Sequence, residues 1–391
     1  PKGAVENVRE LGVRLQLSGH AHGGIAPPFR PIIAFLNGGF VRGLYSLGKS
    51  YLYVSPGSGQ WGGFPMRLFN DSEITVLTLR RKGSGKTIAL VPGNGNMTPK
   101  VAEAIRTMKD GDTLRFASGE YHFYEEGTVR RELVTLSGKG GMKNVVFSLD
   151  GLRDITIDGG GAHFVWHGRV FPFAFTGCQG VSLRNLTASA NRPSYVELAV
   201  TAADRESFTC AFAEGTDYRI EDGRLLVETD LGTFRSDRDE ISLHAINELD
   251  IHYLFVANDT TPRDHLPATF LECRAEDLGG GRVRFRYLPG ERPGKLAAVP
   301  FRVGEPLGAL LNQRERCNVF FGSCADVRVD DVTLDAGDGM GFVGVLTENL
   351  RLRRCRVVPQ PGRHVSITAD CVYLVNCRGA VELDGCELAW S

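Results

Sequence analysis

The sequence contains no run of about 18 uninterrupted apolar residues, the length a helix needs to cross a bilayer. Net charge is also missing: 45 basic side chains stand against 46 acidic ones, a balance of −1, so the chain as a whole has no electrostatic footprint for nucleic acid. Nine cysteines occur without a single C-x-x-C pair, which argues against a zinc site. Several stand where equivalent positions of a recurring pattern carry Leu or Val, so they are expected as small buried apolar residues rather than disulfides. Disorder is excluded by 42% hydrophobic residues, although 48 glycines lift that residue well above the ~7% of average usage. Glycine in such excess, in a chain able to form a core, must punctuate many turns.

Charge is unevenly spread. Residues 1–82 carry ten Lys or Arg against four Asp or Glu, whereas 83–391 carry 35 against 42. A boundary is expected near 82, followed by a basic linker over 83–97. Gly83-Ser84-Gly85-Lys86-Thr87 imitates the end of a phosphate-binding loop, but Arg80 occupies the place of that motif's first glycine. Position 1 is Pro and the chain stops at Ser391 within an apolar alternation, so both ends read as cut, and the lack of a visible signal peptide carries no information.

Residues 11–20 alternate apolar and polar side chains, which reads as a strand delivering Gly19-His20-Ala21-His22-Gly23-Gly24 at its end. Two imidazoles two residues apart on a glycine-flanked turn can aim their nitrogens at one or two divalent cations, so His20 and His22 are candidate metal ligands; a solvated turn would equally carry them. With Gly43-Leu44-Tyr45, the stretch 52–62 and the strand-like 73–79, this order of motifs resembles the C-terminal end of calcineurin-like metallophosphoesterases, over residues 1–82. The resemblance implies a small α/β fragment and, in intact members only, a divalent metal pair that activates water against a phosphate ester. The other ligands of that centre (Asp-x-His, Gly-Asp, Asn-His and a further His) are absent from this span. The fragment is therefore expected to bind metal poorly and to be catalytically dead.

From about residue 145 a nine-residue pattern, x-Φ-x-Φ-x-x-Φ-x-Φ with Φ apolar, recurs over 180–188, 326–334, 349–357 and 380–388, with a partial copy at 154–158. Each copy implies two strands and a tight bend. Ile155 and Val181 are 26 positions apart, Val327 and Leu350 are 23, and Leu350 and Val381 are 31, the spacing of coils in a right-handed parallel β-helix. Val181, Leu183, Val327, Val329, Leu350, Leu352, Val381 and Leu383 are then expected as stacked inward rows, about 4.8 Å apart from coil to coil. An antiparallel sandwich would also alternate, but would not repeat the polar-polar step inside each copy.

Thr98-Pro99 opens an amphipathic helix, with Thr98 as N-cap and Pro99 at the first helical position, suited to cover the first coil. Between 193 and 310 the rhythm stops. Asp222-Gly223 and the alternation over 281–287 predict hairpins of a small antiparallel, β-barrel-like domain inserted at a loop and standing off the coil. His244, His252 and His265 lie there without ligand spacing. The fold class is thus mostly β: a right-handed parallel β-helix over 98–192 and 311–391, an inserted domain over 193–310, and the small α/β fragment over 1–82.

Lys109-Asp-Gly-Asp-Thr-Leu-Arg-Phe, Gly119-Glu-Tyr-His-Phe-Tyr, the run from Leu152 through Ile-Asp-Gly-Gly-Gly, Phe164-Val-Trp-His-Gly-Arg169, Gly339-Met-Gly341, Arg363-His-Val-Ser-Ile-Thr-Ala-Asp370 and Asn376-Cys377-Arg378-Gly379 follow in an order that resembles glycoside hydrolase family 110 over roughly 90–391. Members of that family are α-1,3-galactosidases that remove galactose from blood-group-B-type and related glycans. The resemblance implies a glycan with terminal α-galactose as partner, no cofactor, and an extracytoplasmic or secreted location. An inverting glycosidase needs two carboxyl groups about 6.5–9.5 Å apart, a separation met by carboxylates on one outer face of neighbouring coils. Asp370 corresponds to one active-site carboxylate of the family and is the candidate catalytic residue; an Asp that merely caps its own turn would occupy the same place. Its partner is expected one coil on, at about 393, and hydrolysis by this span is accordingly expected near background. Asp370-Cys371-Val372-Tyr373-Leu374 replaces the family's Asp-Ala-x-His-Phe, so that His's substrate contact is not carried over. Asp326, Asp330, Asp331, Asp335 and Asp338 near Arg351, Arg353 and Arg354 leave open a calcium-assisted polysaccharide lyase. Phosphate ester hydrolysis by the first segment stays open too, as does a β-helix that binds glycans without cleaving them.

Overall fold

The structure, a computed structural model, describes residues 6, 13–19, 21, 23, 27–47, 50–57, 73, 75, 85–135, 140–204, 206–236, 241–245, 268–269, 273–287, 303–304, 306–311 and 316–389. The chain divides into two compact units, Pro1–Arg81 and Lys82–Ser391. In the first, strand Leu15–Ser18 runs parallel to Ser50–Val54, which pairs antiparallel with Gly43–Leu47. Helix Arg30–Leu36 lies in the same unit, where Ile33, Phe40, Tyr45 and Leu47 pack on a small core of Ala21, Leu52 and Val54. His20, His22 and, apart from Glu73 and Thr75, the strand expected over 73–79 lie outside the described residues.

The second unit is built by parallel stacking. One sheet lines up Thr87–Leu90, Thr113–Phe116, Thr156–Trp166, Ser182–Ala190, Ala325–Ala336, Glu348–Arg353 and Arg378–Asp384 in that order. Another lines up Gly141–Asp150, Val170–Thr176, Cys317–Gly322, Met340–Val345 and Val372–Val375, with Val129–Leu133 antiparallel on its first edge. Ile157, Leu183, Val329, Leu352 and Leu383 form one row across the coils, and Val327, Leu350 and Val381 another. The rows are buried up to the last coil, where Val381 is 40% and Leu383 48% exposed because Arg378–Asp384 is the edge strand of its sheet. Aromatic rings fill the first coils: Phe147 stacks on Phe173 at 4.5 Å, and Phe116 meets Phe164 edge-on at 4.8 Å.

Left-handed residues at equivalent positions turn the chain between strands. Asp154, Gly180, Asp326, Asn349 and Gly379 stand at one corner, and Gly160, Asn185, Asp331, Arg354 and Gly385 at the next. The second corner is the polar-polar step of the repeat, and Asp, Asn and Gly suit it because they tolerate the left-handed region. The Asp-Gly-Gly-Gly run is a packing requirement of the same corner. At Gly160, with φ +58°, an added Cβ would lie 2.2 Å from the Phe116 carbonyl oxygen.

Some expectations need correction. Residues 83–97 are more than a linker: Thr87–Leu90 pairs parallel with Thr113–Phe116, since Ile88 and Leu90 keep the inward alternation and pack on the core. The helix Thr98–Thr107 begins within its first residue's expected cap. The Thr98 N–H donates to Asn96 Oδ1 at 2.9 Å, Met97 occupies the N-cap position, and the Thr98 hydroxyl donates to the Tyr124 carbonyl at 2.9 Å.

From Tyr195 to Leu311 every described pairing is antiparallel, in a seven-stranded sheet and a three-stranded one made of Tyr218–Glu221, Arg224–Thr229 and Gly232–Arg235. This module has its own core, with Leu198, Val200, Cys210, Val227 and Phe285 inside. It does not stand off the coil: Arg169 Nε donates to the Leu231 carbonyl at 2.9 Å, and the Tyr195 hydroxyl to the Val365 carbonyl at 2.8 Å. The His244 side chain, His252 and His265 lie outside the described residues. No helix among the described residues is long and apolar enough to cross a membrane.

All nine cysteines, each among the described residues, carry reduced thiols. Cys178, Cys324 and Cys377 share one coil position with Thr347, and each donates to the carbonyl two residues back. Burial pushes the Cys355 thiol up to about 12, as expected of an inert core residue.

Candidate functional site

Strand alternation sends every second side chain outward, and parallel register collects those side chains into rows across the coils. One row is polar and continuous. Glu120 Oε2 lies 3.2 Å from His163 Nδ1, His163 Nε2 lies 2.7 Å from Ser189 Oγ, the Ser189 hydroxyl donates to Asp335, and Asp335 also accepts from Gln360 Nε2 at 3.3 Å. The other Glu120 oxygen lies 3.0 Å from His122 Nε2, and His122 Nδ1 lies 2.9 Å from His167 Nε2. Tyr124 stacks on the His167 ring at 4.2 Å. Burial holds His167 below the usual imidazole range despite the Asp230 carboxylate, and burial pushes the Asp230 carboxyl above its usual range. Carboxylates, imidazoles and a flat ring pair on one partly solvated strip are groups that can exchange hydrogen bonds with hydroxyls and lie against an apolar sugar face.

Beside Ser189 and Asp335 on the same outward face, Thr187 and Thr333 line a shallow open groove of about 380 Å³ together with Gly160, Gly161, Asn185, Leu186 and Asp331. Deeper in the coil lies a polar knot. Buried Arg316 pairs with buried Asp338 and donates to the Gly168 carbonyl at 2.7 Å; Asp338 accepts from the Ser194 N–H, and Asn318 Nδ2 donates to the Met340 carbonyl at 2.9 Å.

Asp370 closes the irregular stretch that follows. It is half-buried, and its carbonyl accepts from the Gly341 N–H at 2.9 Å, which seats it on the coil next to Met340 and Gly341. That approach is close: a Cβ on Gly341 would lie 2.4 Å from the Cys371 carbonyl oxygen.

The acidic and arginine cluster turns out to be coil-to-coil rungs. Asp330 pairs with Arg353 at 2.8 Å, Asp331 grips Arg354 through both oxygens at 2.7 and 2.6 Å, and Arg351 pairs with Glu382 at 2.7 Å. The arginine that a lyase would use as its base is thereby engaged elsewhere, while Asp335 and Asp338 belong to the polar row and the buried knot. Among the described residues no three His, Cys, Asp or Glu side chains are grouped so as to hold a metal ion. The candidate ligands His20 and His22 are outside those residues.

The row Glu120, His163, Ser189 and Asp335 escapes sequence inspection. Its only local signal is outward alternation in Glu120-Tyr121-His122 and His163-Phe164; Glu120 and His163 meet in register, whereas His163 faces Thr187 and reaches Ser189 diagonally.

No family model matches the chain. It is similar to a curated protein named alpha-1,3-galactosidase B from Phocaeicola vulgatus, 24% identical over 308 residues that cover 76% of this chain and 48% of that protein. It is similar at 24% identity over 304 residues to alpha-1,3-galactosidase A of Shewanella woodyi, covering 76% of this chain and 47% of the relative. A shorter match to alpha-1,3-galactosidase B of Bacteroides fragilis reaches 33% identity over 133 residues, 32% of this chain and 22% of that protein. The chain spans about half the length of the curated relatives it matches over most of its own.

Proposed function

We propose that the second unit is part of a glycoside hydrolase of the inverting α-1,3-galactosidase type, acting on terminal α-galactose of glycans. The observation that carries this is the similarity to curated α-1,3-galactosidases across three quarters of the chain. The stacked parallel ladders support a right-handed parallel β-helix as the scaffold, with the antiparallel module inserted in it. The location proposed is outside the cytoplasm. The first unit is proposed as a phosphoesterase-like fragment in which His20 and His22 alone hold divalent cations weakly.

Inversion needs one carboxylic acid to protonate the departing glycosidic oxygen and one carboxylate to take a proton from the water that attacks C1 from the opposite face. The C1–O bond to the leaving sugar breaks as the bond to water oxygen forms. The balance closes with two proton transfers and no cofactor. Asp370 is proposed as one of these carboxyl groups, and the strip from Glu120 to Asp335 as a face that meets the glycan.

The test is binding of a Gal-α-1,3-Gal disaccharide by saturation-transfer NMR, followed by hydrolysis in a version lengthened past Ser391 by the coil expected to carry the second carboxyl group, with the anomeric proton of the released galactose monitored. Ligand binding, β-galactose as the first product, and a drop in kcat of roughly a thousandfold in Asp370→Asn are expected. Neither binding nor hydrolysis of an α-galactoside would overturn the reading. Hydrolysis untouched by Asp370→Asn would remove that residue from the chemistry.

A further inference from the structure

We propose that Glu197, on the first strand of the inserted module, is the positioning residue for the segment that carries Asp370. Its meaning for catalysis rests on the glycosidase reading above. Residues 358–371 form neither strand nor helix, yet 365–369 are buried, so their backbone groups need partners from elsewhere. The coil beneath supplies one side: Gly337 N–H donates to the Ser366 carbonyl at 2.7 Å, Gly339 N–H to Thr368 Oγ1 at 2.8 Å and Gly341 N–H to the Asp370 carbonyl at 2.9 Å. The module supplies the other. Glu197 Oε1 accepts from both the His364 and Val365 N–H groups at 2.8 Å, and the Tyr195 hydroxyl donates to the Val365 carbonyl at 2.8 Å.

The contacts with the coil fall on every second residue, 366, 368 and 370, in step with 337, 339 and 341. A segment held in this way keeps its register only if its start is held too, because a slip by one residue would turn Asp370 away from its present face. Glu197 holds that start. A carboxylate buried on a strand between Val196 and Leu198 has no packing advantage over an apolar residue. Its two backbone N–H partners on the far segment account for it. The inserted module is thereby part of the geometry of Asp370 rather than an appendage.

The experiment is hydrogen exchange by mass spectrometry on the 391-residue chain, with Glu197→Ala, Glu197→Gln and Tyr195→Phe. In Glu197→Ala, exchange over 362–370 should rise about tenfold or more, with peptides from Ala325–Ala336 and Arg224–Thr229 unchanged. Glu197→Gln retains an acceptor oxygen and should restore protection to within about threefold of wild type. If the alanine variant does not fold, Tyr195→Phe, which loses one bond to Val365, should give a smaller rise confined to the same peptide. In an α-galactoside assay of the version lengthened past Ser391, Glu197→Ala should lower kcat with little change in KM, and Glu197→Gln should recover it. Unchanged exchange over 362–370 in Glu197→Ala, or a glutamine variant as unprotected as alanine, would overturn the proposal. Failure of the glycosidase reading looks different: wild type neither binds nor turns over the galactoside, and the exchange result still decides the role of Glu197.

Discussion

Asp158 stands at the corner before Gly159, where its two oxygens collect Asn185 Nδ2 at 3.0 Å, the Gly160 N–H at 3.1 Å, and the guanidinium groups of Arg184 at 3.0 Å and Arg115 at 3.4 Å. Burial by itself pushes this carboxyl up. The amide, the backbone N–H and Arg184 together outweigh burial and hold it below its ordinary value of 3.8. A folded-state value below the unfolded one means that the unfolded chain binds more protons, so the stabilisation is present above about pH 4 and is lost as pH falls through the depressed value. Asp158→Ala should therefore lower the urea-unfolding free energy at pH 7 by about 2–4 kcal/mol, and the gap to wild type should narrow below pH 4. A gap as large at pH 3 as at pH 7 would refute this account. The exposed rung from Asp331 to Arg354, although bidentate, is solvated on both sides and contributes far less than the buried Asp158 cluster.

Rows of inward side chains carry the strands. Leu352 lies between Val329 below and Leu383 above and is fully enclosed, whereas Leu383 has no strand beyond it among the described residues. Leu352→Ala should cost about 2–4 kcal/mol by thermal or urea unfolding, and Leu383→Ala no more than about 1 kcal/mol; equal costs would contradict the row order. These rows were legible in the sequence because a period of two, repeated at coil spacing, leaves few other arrangements. The corners were legible as a polar-polar step, and their left-handed backbone explains why Asn185, Asp331 and Gly385 occupy it. The strand Thr87–Leu90 was not legible, since four residues among glycines and lysines are too few to distinguish from a linker. Met97 holds the N-cap position that Thr98 was expected to fill, with Asn96 Oδ1 accepting from the Thr98 N–H while the Thr98 hydroxyl is engaged with Tyr124. For the site, Asp370 was visible only through the motif around it. Glu120, His163, Ser189 and Asp335 lie 43, 26 and 146 positions apart in turn, and no local pattern connects such distances.

Across the second unit, one coil-to-coil step differs from the others. Ser189 meets Asp335 146 positions on, where the other side-chain steps between neighbouring strands span 23 to 45. Closing an unstructured loop of that length would cost about 1.5 kcal/mol more than a 26-residue one, and would leave the stacking of Ser182–Ala190 on Ala325–Ala336 dependent on a distant encounter. The folded module removes that burden. Its entry strand Tyr195–Ala203 and its exit strand Pro306–Leu311 pair antiparallel side by side, Tyr195 facing Leu310, so the chain leaves and returns at nearly the same place. Arg169, Tyr195 and Glu197 then bond the module to the coil on both sides of the step. Module folding and coil stacking should consequently be one cooperative event. Phe285→Ala, made in the module's core far along the chain from any coil strand, should destabilise by about 3–5 kcal/mol. The coil should melt with it: calorimetry of the Lys82–Ser391 unit should show a single transition moved to lower temperature, and exchange in Ser182–Ala190 and Ala325–Ala336 should rise by the same factor as in the module strand Ser207–Phe212. Two separated transitions, the coil's unmoved while the module's falls, would show instead that the coil closes its long step without help from the module.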